Sequence, residues 1–261
     1  MIASQTTDLQ SRCEELRSLH RPGNPLLLPN AWDVATAKAV TTAGFPVVAT
    51  TSAGVAAALG YEDHEHAPAD EMFGAAARIA RGVDVPVTVD AEAGYGMKPA
   101  DLASALRLAG AAGCNLEDTD HGAGGLRHAD RQAGWLAAVR EASSADGYRL
   151  VISARVDVFL GPVLAGADPG AQMELVPEAV RRANAYLDAG ADCVYPIALW
   201  APDALRRFCS DVHGPVNALR LPQAPPLAEL AASGVARVSW GLLLYREAMG
   251  RFGEQLASLQ K

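Results

Sequence analysis

KPADLASALRLAGAAGCNLE, residues 98–117, holds a helix, its stop and a strand in one continuous stretch. Residues 98–113 carry helical periodicity. A glycine then stops the helix in a left-handed cap, and a tight turn leads into a short apolar strand ending in Glu117. The same phrase recurs as TTAGFPVV (41–48), DAGADCVY (188–195) and AASGVARVS (231–239), a weak internal repeat.

Working outward, strand-length apolar runs lie at Leu26 to Leu28, Pro46 to Ala49, Val85 to Val89, Cys114 to Leu116, Leu150 to Ala154, Cys193 to Ile197, Pro215 to Leu219 and Arg237 to Trp240. Between them lie helical patterns such as AWDVATAKAVTTAG (31–44), PADEMFGAAARIARG (68–82), WLAAVREASSA (135–145) and PEAVRRANAYLDAG (177–190). Strand-helix alternation predicts a parallel sheet covered by helices. Eight units in 261 residues fit a closed (β/α)8 TIM barrel, which needs about 250 residues. The alternative, an open doubly wound sheet, lacks the GxGxxG turn of a dinucleotide fold. The expected organisation is one domain over 1–261, with residues 1–20 as an N-terminal extension forming a short outer helix.

The net charge of -8 and the pI near 5.2 leave no electrostatic footprint for a polyanion, so nucleic acid is not an expected partner. Cys13, Cys114, Cys193 and Cys209 have no CxxC spacing and read as reduced thiols of a cytoplasmic protein. The polar N-terminus is neither signal peptide nor anchor. The least polar stretch, Gly44 to Gly60, is broken by Pro46 and Gly54 and falls short of the roughly 20 apolar residues of a span. It reads as a buried strand and the loop leaving it, and no membrane association is expected.

In such a barrel the reactive residues sit where strands end. VPVTVDAEAGYG (85–96) runs from an apolar strand into Asp90 and Glu92, on one face by alternation, and then into a glycine-rich turn. Two carboxylates in a low-dielectric mouth need a cation, a shared proton or a basic partner. The next strand ends in Glu117 and Asp118, and ISARVDVF places Arg155 and Asp157 at the corresponding level. A guanidinium there either grips a substrate carboxylate bidentately or belongs to a structural Arg-Asp network. Oxygen donors without clustered Cys or His suit a hard cation, magnesium or manganese in its place, and not zinc. His64-Glu65-His66 lacks HExxH spacing and reads as a solvated polar loop.

With those residues in view, the chain resembles the isocitrate lyase and phosphoenolpyruvate mutase superfamily. The phrases PNAWDVATAKAV, TTSAGVAAALGYED, PVTVDAEAGYG, NLEDTD and SARVDVF carry the resemblance, in order, between about Pro29 and Gly241. It implies a barrel whose last helix is exchanged with a neighbouring subunit, giving a homodimer or homotetramer, with magnesium at the mouth. It further implies Asp90 as the principal metal-side carboxylate, with Asp63, Glu92 and Glu117 holding metal-bound waters. Arg155 is similar to the arginine that binds the substrate carboxylate, and Ser52 with Ala53 to the turn whose N–H groups hold an oxyanion. The implied chemistry passes through an enolpyruvate-like anion stabilised by the metal.

The chain departs from the family at the reaction-specific groups. The cysteine-bearing KxCGH-type loop of the isocitrate and methylisocitrate lyases is replaced by DTDHGAGGLRHADRQAG (118–134), and the Lys-Thr-Asn phrase of the mutase is missing. Tyr195-Pro196-Ile197 stands where typical lyases place an acid. His121 or His128 is the candidate replacement acid, and Thr119 to Gly134 the candidate lid. The leading expectation is a magnesium-dependent lyase cleaving a carbon-carbon bond of, or decarboxylating, a small 2-oxo or 2-hydroxy acid. The branch implied is either oxaloacetate decarboxylase-like or carboxyvinyl-carboxyphosphonate phosphorylmutase-like. The runner-up is phosphorus-carbon chemistry on a phosphonopyruvate-like substrate, with Arg127 and Arg131 as added cations, and a third reading is a non-catalytic metabolite-binding barrel.

Overall fold

The computed structural model describes residues 2–145 and 147–259, with side chains described from residue 8 onward. Among the described residues nine strands are formed: β1 (Leu26–Leu28), β2 (Asn30–Ala31), β3 (Val48–Thr50), β4 (Val87–Asp90), β5 (Gly113–Glu117), β6 (Val151–Val156), β7 (Cys193–Pro196), β8 (Asn217–Leu219) and β9 (Arg237–Ser239). All pairings are parallel, in the orders β2-β3-β4-β5-β6-β7 and β1-β9-β8. The two sheets join at a Val194–Val216 bridge and at Pro29, between β1 and β2. Proline has no N–H to give the ladder, so β1 and β2 are one barrel strand interrupted once. The ring therefore closes on eight strands, an α/β barrel.

The helices are α1 (Ile2–Ser18), α2 (Val34–Thr42), α3 (Ser52–Leu59), α4 (Ala69–Arg81), α5 (Pro99–Leu108), α6 (Ala129–Ala145), α7 (Leu160–Leu164), α8 (Gln172–Asp188), α9 (Pro202–Asp211), α10 (Leu227–Ala232) and α11 (Leu243–Ser258). Three expectations are corrected here. The stretch after β3 is helix α3 and not a loop, because four of the eight residues of SAGVAAAL are alanine, the strongest helix former. Gly54 lets it in, since a Cβ there would stand 2.7 Å from Thr51 Cγ2. The lid cannot reach Gly134, because α6 begins at Ala129. Finally, α1 is not an outer layer.

Helix α1 underlies the N-terminal end of the barrel. Cys13 and Leu16 are fully buried, and a Cβ on Gly113 at the start of β5 would sit 2.7 Å from Leu16 Cδ2, so only glycine admits the helix there. Arg17 donates to Asp192 Oδ1 at 2.7 Å and to the Arg149 carbonyl at 2.8 Å, tying α1 to the starts of β6 and β7. Plugging that end leaves the opposite, C-terminal end as the open mouth. Within the barrel, Arg237 of β9 donates across to Asn115 of β5 at 3.2 Å and to Asn217 of β8 at 3.1 Å, so the lumen is polar as well as filled.

Helix α11 is different in kind: none of its residues is buried. Met249, Phe252, Leu256 and Leu259 form an exposed apolar stripe at helical spacing. Among the described residues, no helix is long and apolar enough to cross a membrane.

Candidate active site at the barrel mouth

Strand β4 delivers Asp90 to the mouth, where α3 begins. The Ser52 N–H donates to Asp90 Oδ2 at 3.1 Å, and the Asp90 N–H donates to Thr50 Oγ1 at 2.9 Å. The first N–H groups of a helix have no acceptor within it, so the Ser52–Ala53 end of α3 is a natural seat for negative charge. Asp90 Oδ1 and Asp63 Oδ1 are both buried without a protein partner. Burial pushes the Asp90 carboxyl above its usual range, Arg155 and the Ser52 N–H pull it down, and Asp63 pushes it up again.

Behind Asp90 the GYG turn holds Glu92. Its Oε1 accepts from the Tyr95 hydroxyl at 2.6 Å and its Oε2 from the Glu65 N–H at 2.6 Å, while Glu65 Oε1 accepts from the Tyr95 N–H at 2.5 Å. Burial first, and then the charges of Asp90 and Asp63, push Glu92 up to about 7. Gly94 takes φ +92°, and a Cβ there would stand 2.8 Å from the Trp135 ring. His64, Glu65, Glu92 and Tyr95 also adopt positive φ, a local strain on the order of 1 kcal/mol or more each that the surrounding contacts must hold.

Strands β5 and β6 pair Glu117 with Arg155 in register. Arg155 Nη2 lies 2.5 Å from Glu117 Oε2, and its Nε and Nη2 each donate to Asp157 at 2.7 Å. Burial opposes the guanidinium charge, but Asp157 and Glu117 outweigh it and hold the group well above its ordinary range. Nη1 has no protein acceptor among the described residues. The other Glu117 oxygen lies 2.6 Å from His121 Nε2, and this contact raises the imidazole above its ordinary value. Burial pushes Glu117 itself upward, against Arg155 and His121.

The stem of the 118–128 loop is fixed from below. Asp118 accepts from Tyr186 Oη at 2.7 Å, Arg182 Nη1 at 3.0 Å and the Asp157 N–H at 2.9 Å. The loop itself is a closed turn, bridged at Thr119–Leu126. A cavity of about 410 Å³ opens beside it, lined by Arg155, Asp157, His121, His64 and the apolar segment after β6. Asp90 faces a narrower cleft with Thr50, Ser52 and Tyr95.

Asp90, Asp63, Glu92, Glu117, Arg155, His121 and Ser52 are thus brought to one end of the barrel. His128 is not: it stands exposed before α6, 3.8 Å from Asp130. Arg127 and Arg131 line a separate cleft of about 220 Å³ with Trp135. His64 and His66 stand exposed, as expected of a solvated loop, with the His64 ring 5.4 Å from that of His121 at the cavity wall. Glu65 departs from that expectation, being engaged with the GYG turn. Their signal in the sequence was adjacency to Asp63. Among the described residues no three Cys, His, Asp or Glu side chains converge as a preformed metal cage. The two unpartnered buried carboxylate oxygens nevertheless fit a hard cation held by few protein ligands and by water.

Fold and site together define an α/β barrel of the isocitrate lyase and phosphoenolpyruvate mutase type. The phosphoenolpyruvate phosphomutase family model matches residues 16–260, and the chain belongs to that family. It is similar to a crystal structure described as a "putative phosphonomutase" from Burkholderia cenocepacia J2315, at 41% identity and a TM-score of 0.87, covering 94% of this chain and 99% of the other. It is also similar to "Probable 2-methylisocitrate lyase 2" of Corynebacterium glutamicum, at 32% identity over 89% of this chain and 75% of the relative. The phosphoenolpyruvate phosphomutase of Streptomyces platensis subsp. rosaceus shares the fold at 24% identity and a TM-score of 0.81, over 95% of this chain and 87% of that one.

Proposed function

We propose that this chain is a magnesium-dependent lyase that acts on a small 2-oxo or 2-hydroxy carboxylic acid, by carbon-carbon cleavage or decarboxylation, through an enolate-like anion. The observation that carries the reading is the charge arrangement around Arg155. Its guanidinium is fixed by Glu117 and Asp157, keeps Nη1 for a substrate carboxylate, lines the open cavity, and acts electrostatically on Asp90, whose Oδ1 is unpartnered. Asp90 would hold the cation, with Asp63, Glu92 and Glu117 reaching it through water; manganese suits the same donors. The cation supplies positive charge where the anion develops. The start of α3 adds a fixed dipole toward the same charge, with the Ser52 N–H committed to Asp90 Oδ2 and the Ala53 N–H the one to meet the anion.

His121 is the proposed proton donor. Its contact with Glu117 favours the imidazolium, which can release a proton to carbon and recover it from solvent. Decarboxylation asks least of this arrangement, because carbon dioxide leaves without needing an acid. A second reading, phosphorus-carbon mutation or hydrolysis, draws support from the 41% identity to the Burkholderia protein. Against it, the added cations it would use, Arg127 and Arg131, line a different cleft from Arg155. The exposed stripe of α11 supports exchange of that helix in a homodimer or homotetramer.

The test is product analysis with magnesium and a panel of 2-oxo, 2-hydroxy and phosphono acids, in native protein and in Arg155→Lys. Release of carbon dioxide, or of an oxo acid from a longer substrate, is expected, with kcat/KM on the order of a hundredfold lower in the variant, about 2.7 kcal/mol. Phosphate release or a phosphonopyruvate-phosphoenolpyruvate interconversion would favour the second reading instead. Near-native rates in Arg155→Lys would leave Arg155 a purely structural ion pair.

A further inference from the structure

Arg237 is the largest fully buried side chain among the described residues, 1% exposed, and it lies in the barrel lumen. Arg155 and Arg182, the other buried arginines, each touch carboxylates. Arg237 touches none among the described residues. Its Nε donates to Asn217 Oδ1 at 3.1 Å and its Nη2 to Asn115 Oδ1 at 3.2 Å, while Nη1 faces His20 Nε2 at 3.4 Å. These partners are all neutral, since two are amides and the His20 imidazole, lowered to about 3, carries no charge. Asp90 attracts the guanidinium without touching it, and burial opposes the charge. A guanidinium nevertheless keeps its proton at any ordinary pH, and a buried charge left unpaired is strongly destabilising.

The same level of the lumen holds hydroxyls without strong partners. Asn115 pairs in register with Asp90 on one side and with Ser153 on the other, and Thr88 shares the strand face of Asp90. Thr88 Oγ1 is buried with no protein partner, and Ser153 Oγ has only the Cys193 thiol, a weak donor and acceptor, beside it. Asn115 is only half-buried, in a strand whose other residues are buried, so there is water-sized room next to it. Water there would meet the spare N–H groups of Arg237 but leave its positive charge unpaired. An anion meets both demands, because the guanidinium and the two hydroxyls all donate to it. The barrel mouth is the converse case: its unpartnered buried atoms, Asp90 Oδ1 and Asp63 Oδ1, are acceptors and fit a cation. One guanidinium balances one negative charge, and short hydroxyls on buried strand walls favour a compact ion over an organic acid.

We infer that the barrel lumen binds a small monovalent inorganic anion of the chloride class, held by Arg237 with Thr88 and Ser153, one inward-facing layer below Glu117 and Arg155. This inference is independent of the reading of Arg155 as a substrate clamp.

The experiment follows thermal unfolding of the full chain as chloride replaces gluconate at constant ionic strength, with magnesium supplied as its gluconate. The melting temperature should climb along a saturating curve, by about 3 °C or more. In Arg237→Met, which puts an uncharged chain in place of the guanidinium, the curve should be flat. Thr88→Val combined with Ser153→Ala should raise the half-saturating chloride concentration at least about fivefold. Crystals grown in bromide give a check that needs no variant, since an anomalous peak is expected beside the Arg237 guanidinium. A flat curve for the native chain, a chloride response that survives in Arg237→Met, or bromide data without a lumen peak overturns the inference. If Arg237→Met does not fold, the hydroxyl double variant and the bromide map decide, and an unshifted half-saturation or a missing peak overturns it.

Discussion

Asp90 is the residue on which the metal proposal turns, and its surroundings predict an uncommon pairing of effects. Its carboxylate is buried, repelled by Asp63, and has one oxygen without a partner. Asp90→Ala should therefore leave thermal stability unchanged or slightly raised, while magnesium affinity measured by calorimetry falls on the order of a hundredfold and turnover is lost. Unchanged affinity would remove Asp90 from the metal. His20 makes a separate prediction at the plugged end of the barrel. Its Nε2 faces Arg237 Nη1 at 3.4 Å and its Nδ1 is buried without a partner. Burial first, then Arg237 and Arg17, lower its pKa from 6.5 to about 3. The unfolded chain binds this proton first, so stability is lost as pH falls below 6.5. At pH 5 the loss is about 2 kcal/mol. Denaturant titrations of His20→Gln should show a shallower decline between pH 6.5 and 5 than the native chain; parallel curves would assign the acid sensitivity elsewhere.

At the scale of elements, the strands were legible in the sequence and the non-repeating connections were not. A run such as Val47 to Ala49 is apolar because both faces of a barrel strand are buried, and the glycine phrase before it marks its start. Asp90, Glu117 and Arg155 were legible for the same reason, as charges at the ends of such runs. The length of α3 and the place of Glu65 were not. The first depends on Gly54 passing Thr51, and the second on a loop conformation with positive φ at His64 and Glu65, neither of which leaves a periodic trace. The 118–128 loop carries the next prediction. Its stem is held by Arg182 and Tyr186, and Gly124 and Gly125 take φ +77° and +79° at its tip, so any closing motion is confined to the tip. His121→Gln should lower kcat more than it changes KM and scramble the stereochemistry of deuterium incorporation. His128→Gln, at an exposed site, should do neither. Equal effects of the two variants, or none from either, would leave solvent as the proton source. Thiol reagents should spare turnover, because no cysteine lines the cavity and burial pushes Cys13 and Cys209 up to about 12.

For the whole molecule, the closure of eight strands follows from the repeat, but the fate of the last helix could not be read from periodicity, because an amphipathic pattern does not say which barrel it packs on. Helix α11 buries none of its residues, although it is 16 residues long and carries Met249, Phe252 and Leu256 on one stripe, with Leu259 just beyond. An isolated helix of this length is marginal in water, and although Tyr245 at its start packs on Trp32 of its own barrel, the stripe from Met249 onward stays exposed, so its stability calls for further apolar contacts. The proposed partner is a second copy of the chain, whose α11 returns the contact reciprocally, as a two-fold interface requires. Sedimentation equilibrium should accordingly give a dimer or a tetramer for the native chain. Phe252→Glu with Leu256→Glu places two charges in the stripe without touching the barrel, and it should shift the sedimenting species to the monomer while the circular dichroism of the barrel is retained. A native chain that sediments as a monomer at micromolar concentration, or a double variant that keeps the native mass, would overturn helix exchange as the source of assembly.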